Sequence, residues 1–119
     1  MHKILIIEDS KTAKLFLTRI IKEMYPDALI TEAENGKEGF SALKTQSFNL
    51  IITDLEMGDD GGLEFVLKMQ SNAILKKKKI IIYTSSQKPS ILNSNVAFVS
   101  KTSKKEDLTN QIKKFLDEA

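Results

Sequence analysis

Three short runs of this chain are apolar without alternation: Ile4-Leu5-Ile6-Ile7, Leu50-Ile51-Ile52 and Ile80-Ile81-Ile82-Tyr83. A strand with one face in water alternates apolar and polar residues. A strand that does not alternate must be covered on both faces, which is the situation of a parallel sheet between two layers of helices. β-branched isoleucine favours the extended chain, so these runs are strands and not buried helical turns. Leu29-Ile30-Thr31-Glu32-Ala33 and Val96-Ala97-Phe98-Val99 are two weaker strands of the same kind.

Helical spacing fills the intervals. Ala13, Phe16, Leu17, Ile20, Ile21 and Met24 recur as one apolar helical face, and Pro26 stops that helix. Asn35 with Glu38 forms a capping box that opens a helix through Leu43, and Leu63, Val66 and Leu67 mark a third. Ser103 and Glu106 form another capping box before Leu108, Ile112, Phe115 and Leu116. Between Thr84 and Phe98 only Ile91 and Leu92, after Pro89, offer apolar contacts, so the helix there is short. Strands alternating with helices predict an α/β sandwich with right-handed crossovers. With 119 residues, no Pro/Gly-rich linker and no repeat, positions 1–119 read as one domain.

Composition excludes several classes. There is no cysteine, hence no disulfide framework and no thiolate metal site. The apolar run in "MHKILIIEDS" is too short for a signal peptide or a membrane span, so a cytoplasmic protein is expected, with no membrane contact. A net charge of +2 is far from the basic excess of a nucleic-acid binder, and direct nucleic-acid binding is not expected. Much of that excess is the run Lys76-Lys77-Lys78-Lys79, which reads as a solvated loop guarding the apolar strand after it.

The strands end in reactive groups. The first ends at Glu8-Asp9, the third at Asp54, the fourth at Thr84-Ser85-Ser86 and the last at Lys101. In open parallel sheets ligands bind beyond the carboxyl ends of the strands, so these groups converge on one edge. Clustered carboxylates repel one another and need compensation. An all-oxygen acidic cluster suits a hard divalent ion such as Mg²⁺, and a lysine and a hydroxyl beside it would hold anionic oxygens. Acid, metal, lysine and hydroxyl are the parts of a phosphoryl-transfer site. Each residue alone has a plainer role: Asp9 or Ser10 as a helix cap, Thr84 as a strand end, Lys101 as surface charge. The joint pattern is far less expected by chance.

The chain as a whole resembles the receiver domain of bacterial two-component response regulators, the family of the single-domain chemotaxis regulator. The resemblance implies a flavodoxin-like (βα)5 three-layer sandwich with strand order 2-1-3-4-5 and, here, a short fourth helix. It implies that Asp54 accepts a phosphoryl group from a histidine kinase or phosphotransfer protein. Glu8 and Asp9 match the acidic pair, and Mg²⁺ would be held by Asp9, Asp54 and the Glu56 carbonyl, with Glu8 beside it. Lys101 matches the invariant lysine, Thr84 the switch hydroxyl and Phe98 the switch aromatic. The resemblance also implies phosphotransfer and self-dephosphorylation without enzymatic turnover. The chain departs from the family pattern at four places: "MGDDGG" (residues 57–62) puts Gly58 where proline is usual, Thr102 and not proline follows Lys101, Thr84 to Lys101 spans 17 positions, shorter than is usual, and Ser85 stands where a smaller residue is common.

Competing expectations keep parts of this chemistry. The chain could be the receiver part of a larger DNA-binding regulator, or a docking module that works without phosphorylation. A Mg²⁺-dependent phosphohydrolase using Asp54 would need a second aspartate where Glu56 stands. A flavodoxin-like electron carrier would need a glycine-bearing phosphate cradle, and the first loop, "EDSKTAK", is acidic and has none.

Overall fold

A computed structural model describes residues 2–56, 62–72, 75–88 and 93–117. Five parallel strands form one sheet: β1 (Lys3–Ile7), β2 (Leu29–Ala33), β3 (Leu50–Thr53), β4 (Ile80–Thr84) and β5 (Val96–Ser100). Their spatial order is β2-β1-β3-β4-β5, as the resemblance implied. β1 therefore has β2 on one side and β3 on the other, and the winding direction reverses there. That reversal opens a crevice at the carboxyl ends of β1 and β3.

The described helices are α1 (Lys11–Met24), α2 (Gly36–Thr45), α3 (Gly62–Ser71) and α4 (Lys105–Asp117), with a 3₁₀ turn at Leu75–Lys77. Ile4, Ile6, Leu50, Ile52 and Ile81 face α1 and α4, meeting Leu17, Ile20, Ile21, Leu108, Ile112 and Phe115. Leu5, Ile7, Ile51, Ile80 and Ile82 face α2 and α3, meeting Phe65, Val66 and Met69. The central strands are thus buried on both faces, which is why their isoleucines do not alternate with polar residues.

Caps set the entry of the chain into two helices. The Ser10 hydroxyl accepts from the Ala13 N–H at 3.3 Å, so Ser10, and not Asp9, caps α1. The Asn35 side chain accepts from the Glu38 N–H at 2.9 Å, and Glu38 accepts in turn from the Glu34 N–H at 3.0 Å. The box expected at Ser103 does not form. Its hydroxyl donates to the Ser100 carbonyl at 2.6 Å and α4 starts two residues later, at Lys105.

Two side chains expected in the core lie outside it: Phe16 is 40% exposed and Leu67 53%. Each stands one position off the buried stripe of its helix, the range over which periodicity alone cannot fix a face. Lys79, expected in a solvated run, instead donates to the Phe115 carbonyl at 2.8 Å with its ammonium 5.9 Å from the ring centroid. Lys76 and Lys77 are exposed. Gly58, Asp59 and Asp60, and the Pro89, Ile91 and Leu92 of the expected short helix, lie outside the described residues.

Candidate functional site

Ladder hydrogen bonds carry each strand slightly past its end and so fix where the reactive residues emerge. The Glu8 N–H donates to the Ala33 carbonyl at 3.0 Å, the Asp54 N–H to Ile7 at 3.1 Å and the Lys101 N–H to Thr84 at 2.8 Å. Glu8, Asp54, Thr84 and Lys101 therefore stand on one edge of the sheet in the order of their strands.

Lys101 lies at the centre. Its Nζ donates to Glu8 Oε1 at 2.6 Å and to Asp54 Oδ2 at 2.7 Å. Its ammonium also sits 5.9 Å from the Tyr83 ring centroid, a cation–π distance. The other oxygen of each acid is held by backbone. Glu8 Oε2 accepts from the Ser10 N–H at 3.0 Å, while Asp54 Oδ1 accepts from Leu55 N–H at 2.6 Å and Glu56 N–H at 3.1 Å. Glu8 is only 2% exposed and Asp54 6%.

The two acids respond differently to burial. Burial pushes the Glu8 carboxyl above its ordinary value; the hydrogen bonds from Lys101 and Ser10 oppose this without cancelling it, and the Asp54 charge adds to it. Burial also pushes Asp54 upward, but hydrogen bonds from Lys101, the Thr84 hydroxyl and the Glu56 amide outweigh it and hold Asp54 low. Burial pulls the Lys101 ammonium down, and its two carboxylate partners more than restore it. Asp54 is thereby kept ionised in a nearly closed site, the condition a carboxylate nucleophile needs.

Not every expected residue joins this cluster. Asp9 faces solvent. The Glu56 side chain is exposed too, and accepts from the Ser86 hydroxyl across the mouth of the site. Thr84 is fully buried and its hydroxyl accepts from the Ser86 N–H at 3.2 Å. Phe98 is half-buried and pairs in register with Ile82, on the face shared by Ile80 and Val96. By strand alternation Thr84 belongs to that same face.

Where the family usually has proline after the lysine, Ser100 shapes the turn. Its hydroxyl accepts from the Thr102 N–H at 3.2 Å and pairs with the Thr102 hydroxyl at 2.8 Å. Its carbonyl accepts from the Ser103 N–H at 3.1 Å. Neither Ser100 nor Tyr83 stood out in the sequence. The Ser100-Lys101-Thr102-Ser103 string is a hydroxyl-rich turn signal that could have pointed to the first.

Among the described residues no three of His, Cys, Asp or Glu converge as a metal cluster. Glu8 and Asp54 both turn toward Lys101, and Asp9 points away into solvent. The donors available on this edge are all oxygens, with Asp9 free to turn inward, and that chemistry fits a hard divalent cation.

A doubly wound sheet whose crevice presents an ionised buried aspartate bound to a lysine is the arrangement of a flavodoxin-like receiver domain. The response regulator receiver domain family matches residues 4–113, and the chain belongs to that family. The chain is 32% identical over 85 residues to the chemotaxis protein CheY1 of Helicobacter pylori, a match covering 70% of this chain and 67% of that protein. It is 34% identical over 83 residues to the transcriptional regulatory protein LytR of Staphylococcus aureus, covering 70% of this chain but 32% of LytR. The match thus spans about a third of that regulator. Among solved structures, the response regulator TrrA of Thermotoga maritima, in complex with Mg²⁺-BeF, superposes with a TM-score of 0.83 at 26% identity. That match covers 98% of this chain and all of TrrA. The receiver domain of a Syntrophus aciditrophicus histidine kinase gives a TM-score of 0.84 at 26% identity, covering 98% and 91% of the two chains.

Proposed function

We propose that this receiver domain accepts a phosphoryl group on Asp54 from the phosphohistidine of a histidine kinase or phosphotransfer protein. The observation that carries the proposal is the state of Asp54: nearly buried, yet held ionised by Lys101, Thr84 and two backbone amides. An Asp54 carboxylate oxygen would attack phosphorus, the P–N bond would break, and the departing imidazole would take a proton. Lys101 would follow the transferring oxygens and neutralise part of their charge. Glu8, released from Lys101, would turn toward the cation side of the site beside Asp9, Asp54 and the Glu56 carbonyl. Mg²⁺ bound there would supply the remaining charge neutralisation.

Thr84 and Phe98 would carry the signal outward. The Thr84 hydroxyl, a hydrogen-bond partner of Asp54 before transfer, would follow the new phosphoryl oxygens. Phe98, on the same sheet face and half-buried, would move toward the space left behind. That is a two-state shift biased by a local charge. The likeness to LytR supports a second reading, in which the domain is the receiver part of a longer DNA-binding regulator with the same chemistry.

The test is incubation with acetyl phosphate and Mg²⁺ followed by intact-mass measurement. A gain of one phosphoryl group that Asp54→Asn abolishes is expected. No gain in the wild type, or a gain that survives Asp54→Asn, would remove the acceptor role.

A further inference from the structure

The lysines of this chain are not spread evenly. The reactive edge carries Glu8, Asp9, Glu34, Asp54 and Glu56, with Lys14 and Lys101 paired to three of them, while a different surface carries an open groove of about 650 Å³ between α2 and α3. Lys37 and Lys44 of α2 and Lys68 of α3 rim it, against one carboxylate, Glu64. That carboxylate is already committed to Lys68 at 3.2 Å. The Lys76 N–H donates to the carbonyl of Asn72, which lines the groove, so the exposed Lys76 and Lys77 stand at its end. The chain as a whole has a net charge of only +2, so this concentration is local.

The floor is aromatic. Half-buried Phe40 packs on buried Phe65 with ring centroids 4.9 Å apart. Lys68 Nζ lies 5.8 Å from the centroid of Phe40. The rim contains no arginine to grip phosphates in pairs. A side chain inserted between the helices, with carboxylates on either side of it, meets every feature of the groove.

We propose that the α2–α3 groove docks an acidic protein segment carrying one aromatic or large aliphatic anchor. The anchor lies against Phe40, and its flanking carboxylates pair with Lys37, Lys44 and the Lys76-Lys77 turn. This surface is separate from Asp54, and docking does not require phosphorylation.

The probe is a short synthetic peptide of glutamates flanking one phenylalanine, titrated into the ¹⁵N-labelled full chain. Its all-glutamate and lysine-flanked counterparts and a single-stranded oligonucleotide of matched charge run beside it. Amide shifts confined to α2, α3 and the lysine turn are expected, saturating near or below about 1 mM. Lys37→Glu with Lys44→Glu, both at exposed positions, should weaken binding about tenfold or more, and Lys113→Glu on α4 should not. Phe40→Leu should reduce affinity for the phenylalanine peptide and leave the weaker all-glutamate peptide unchanged. Absent or scattered shifts, equal effects of the Lys113 and groove variants, or tighter binding of the oligonucleotide at the same residues would each overturn the proposal.

Discussion

Lys101→Met should be far more damaging in the metal-free protein than loss of a partly exposed lysine usually is. The substitution keeps most of the side-chain volume and removes an ammonium that lies 2.6 Å from one carboxylate and 2.7 Å from another, both nearly buried. Breaking a buried pair by deleting one partner costs about 3–5 kcal/mol, because the remaining charge is stranded. Protonation sets a ceiling on that cost. Driving a carboxyl of ordinary pKa to its neutral form at pH 7 takes roughly 3.7 kcal/mol, and Glu8 already sits above its ordinary value. The expected loss at pH 7 is therefore about 2–4 kcal/mol. In the variant the folded state binds one more proton than the unfolded state wherever pH lies between the unfolded and the raised folded pKa of Glu8. Stability should then fall as pH rises through that window, by about 1.4 kcal/mol per unit. Urea melts in EDTA from about pH 5 to about pH 8 measure both the loss and its slope. Glu8→Gln in the Lys101→Met background should recover much of the stability, since it removes the proton requirement. A loss below about 1 kcal/mol with no pH dependence would mean that water screens this cluster as it screens a surface pair, and the reasoning would fail.

Mg²⁺ at about ten times its dissociation constant should add roughly 1.4 kcal/mol to wild-type stability. Thermal melts should show that gain shrink in Asp9→Ala and Asp54→Ala but persist in Asp59→Ala and Asp60→Ala; equal effects at all four would mean loose attraction to an acidic surface. Asp54 is held below its ordinary 3.8, so the stability it contributes is present above that pH and lost as pH falls through the lower folded value. Acid unfolding of metal-free Asp54→Asn should lack this limb, and an unchanged acid profile would count against an ionised Asp54. Gly39→Ala should destabilise by about 1–3 kcal/mol despite alanine's better helix propensity. An added Cβ would lie 2.5 Å from Ile7 Cδ1 and 3.2 Å from Phe65 Cε1 in the core below Glu8, and a melting temperature equal to wild type would show that Ile7 can give way.

The fold was legible because its strongest signal comes from double-sided burial. A strand such as Ile80-Ile81-Ile82 meets helices on both faces and admits no other arrangement, so its type could be read from the chain. The faces of the helices were less legible. Phe16 and Leu67 obey helical spacing yet lie at the margin of the buried stripe, where about 100° of rotation per residue separates core from solvent. Capping followed the same division. Asn35 caps as expected, whereas the Ser103 hydroxyl donates to the Ser100 carbonyl instead.

The convergence of four strand-end residues was legible, whereas their pairing and the positions of Asp9 and Glu56 were not. Strand ends place Glu8, Asp54, Thr84 and Lys101 on one edge whatever their side chains do, so topology alone brings them together. Which acid turns inward depends on a single residue of register. Ile7 ends β1 in the core, Glu8 continues the ladder to Ala33, and Asp9 is then carried beyond the sheet into solvent. The sequence places Glu8 and Asp9 side by side, and the fold separates them into one acid that pairs with Lys101 and one exposed to solvent. The end of β5 places Lys101 on this edge, but the pairing of its ammonium with both acids also depends on the turn after it. There Thr102 and Ser103 bond back to Ser100 where the family usually relies on a proline ring. The turn fixes the backbone that carries Lys101, whereas its ammonium is held by Glu8 and Asp54, so the strength of those two ion pairs sets how easily the side chain can move.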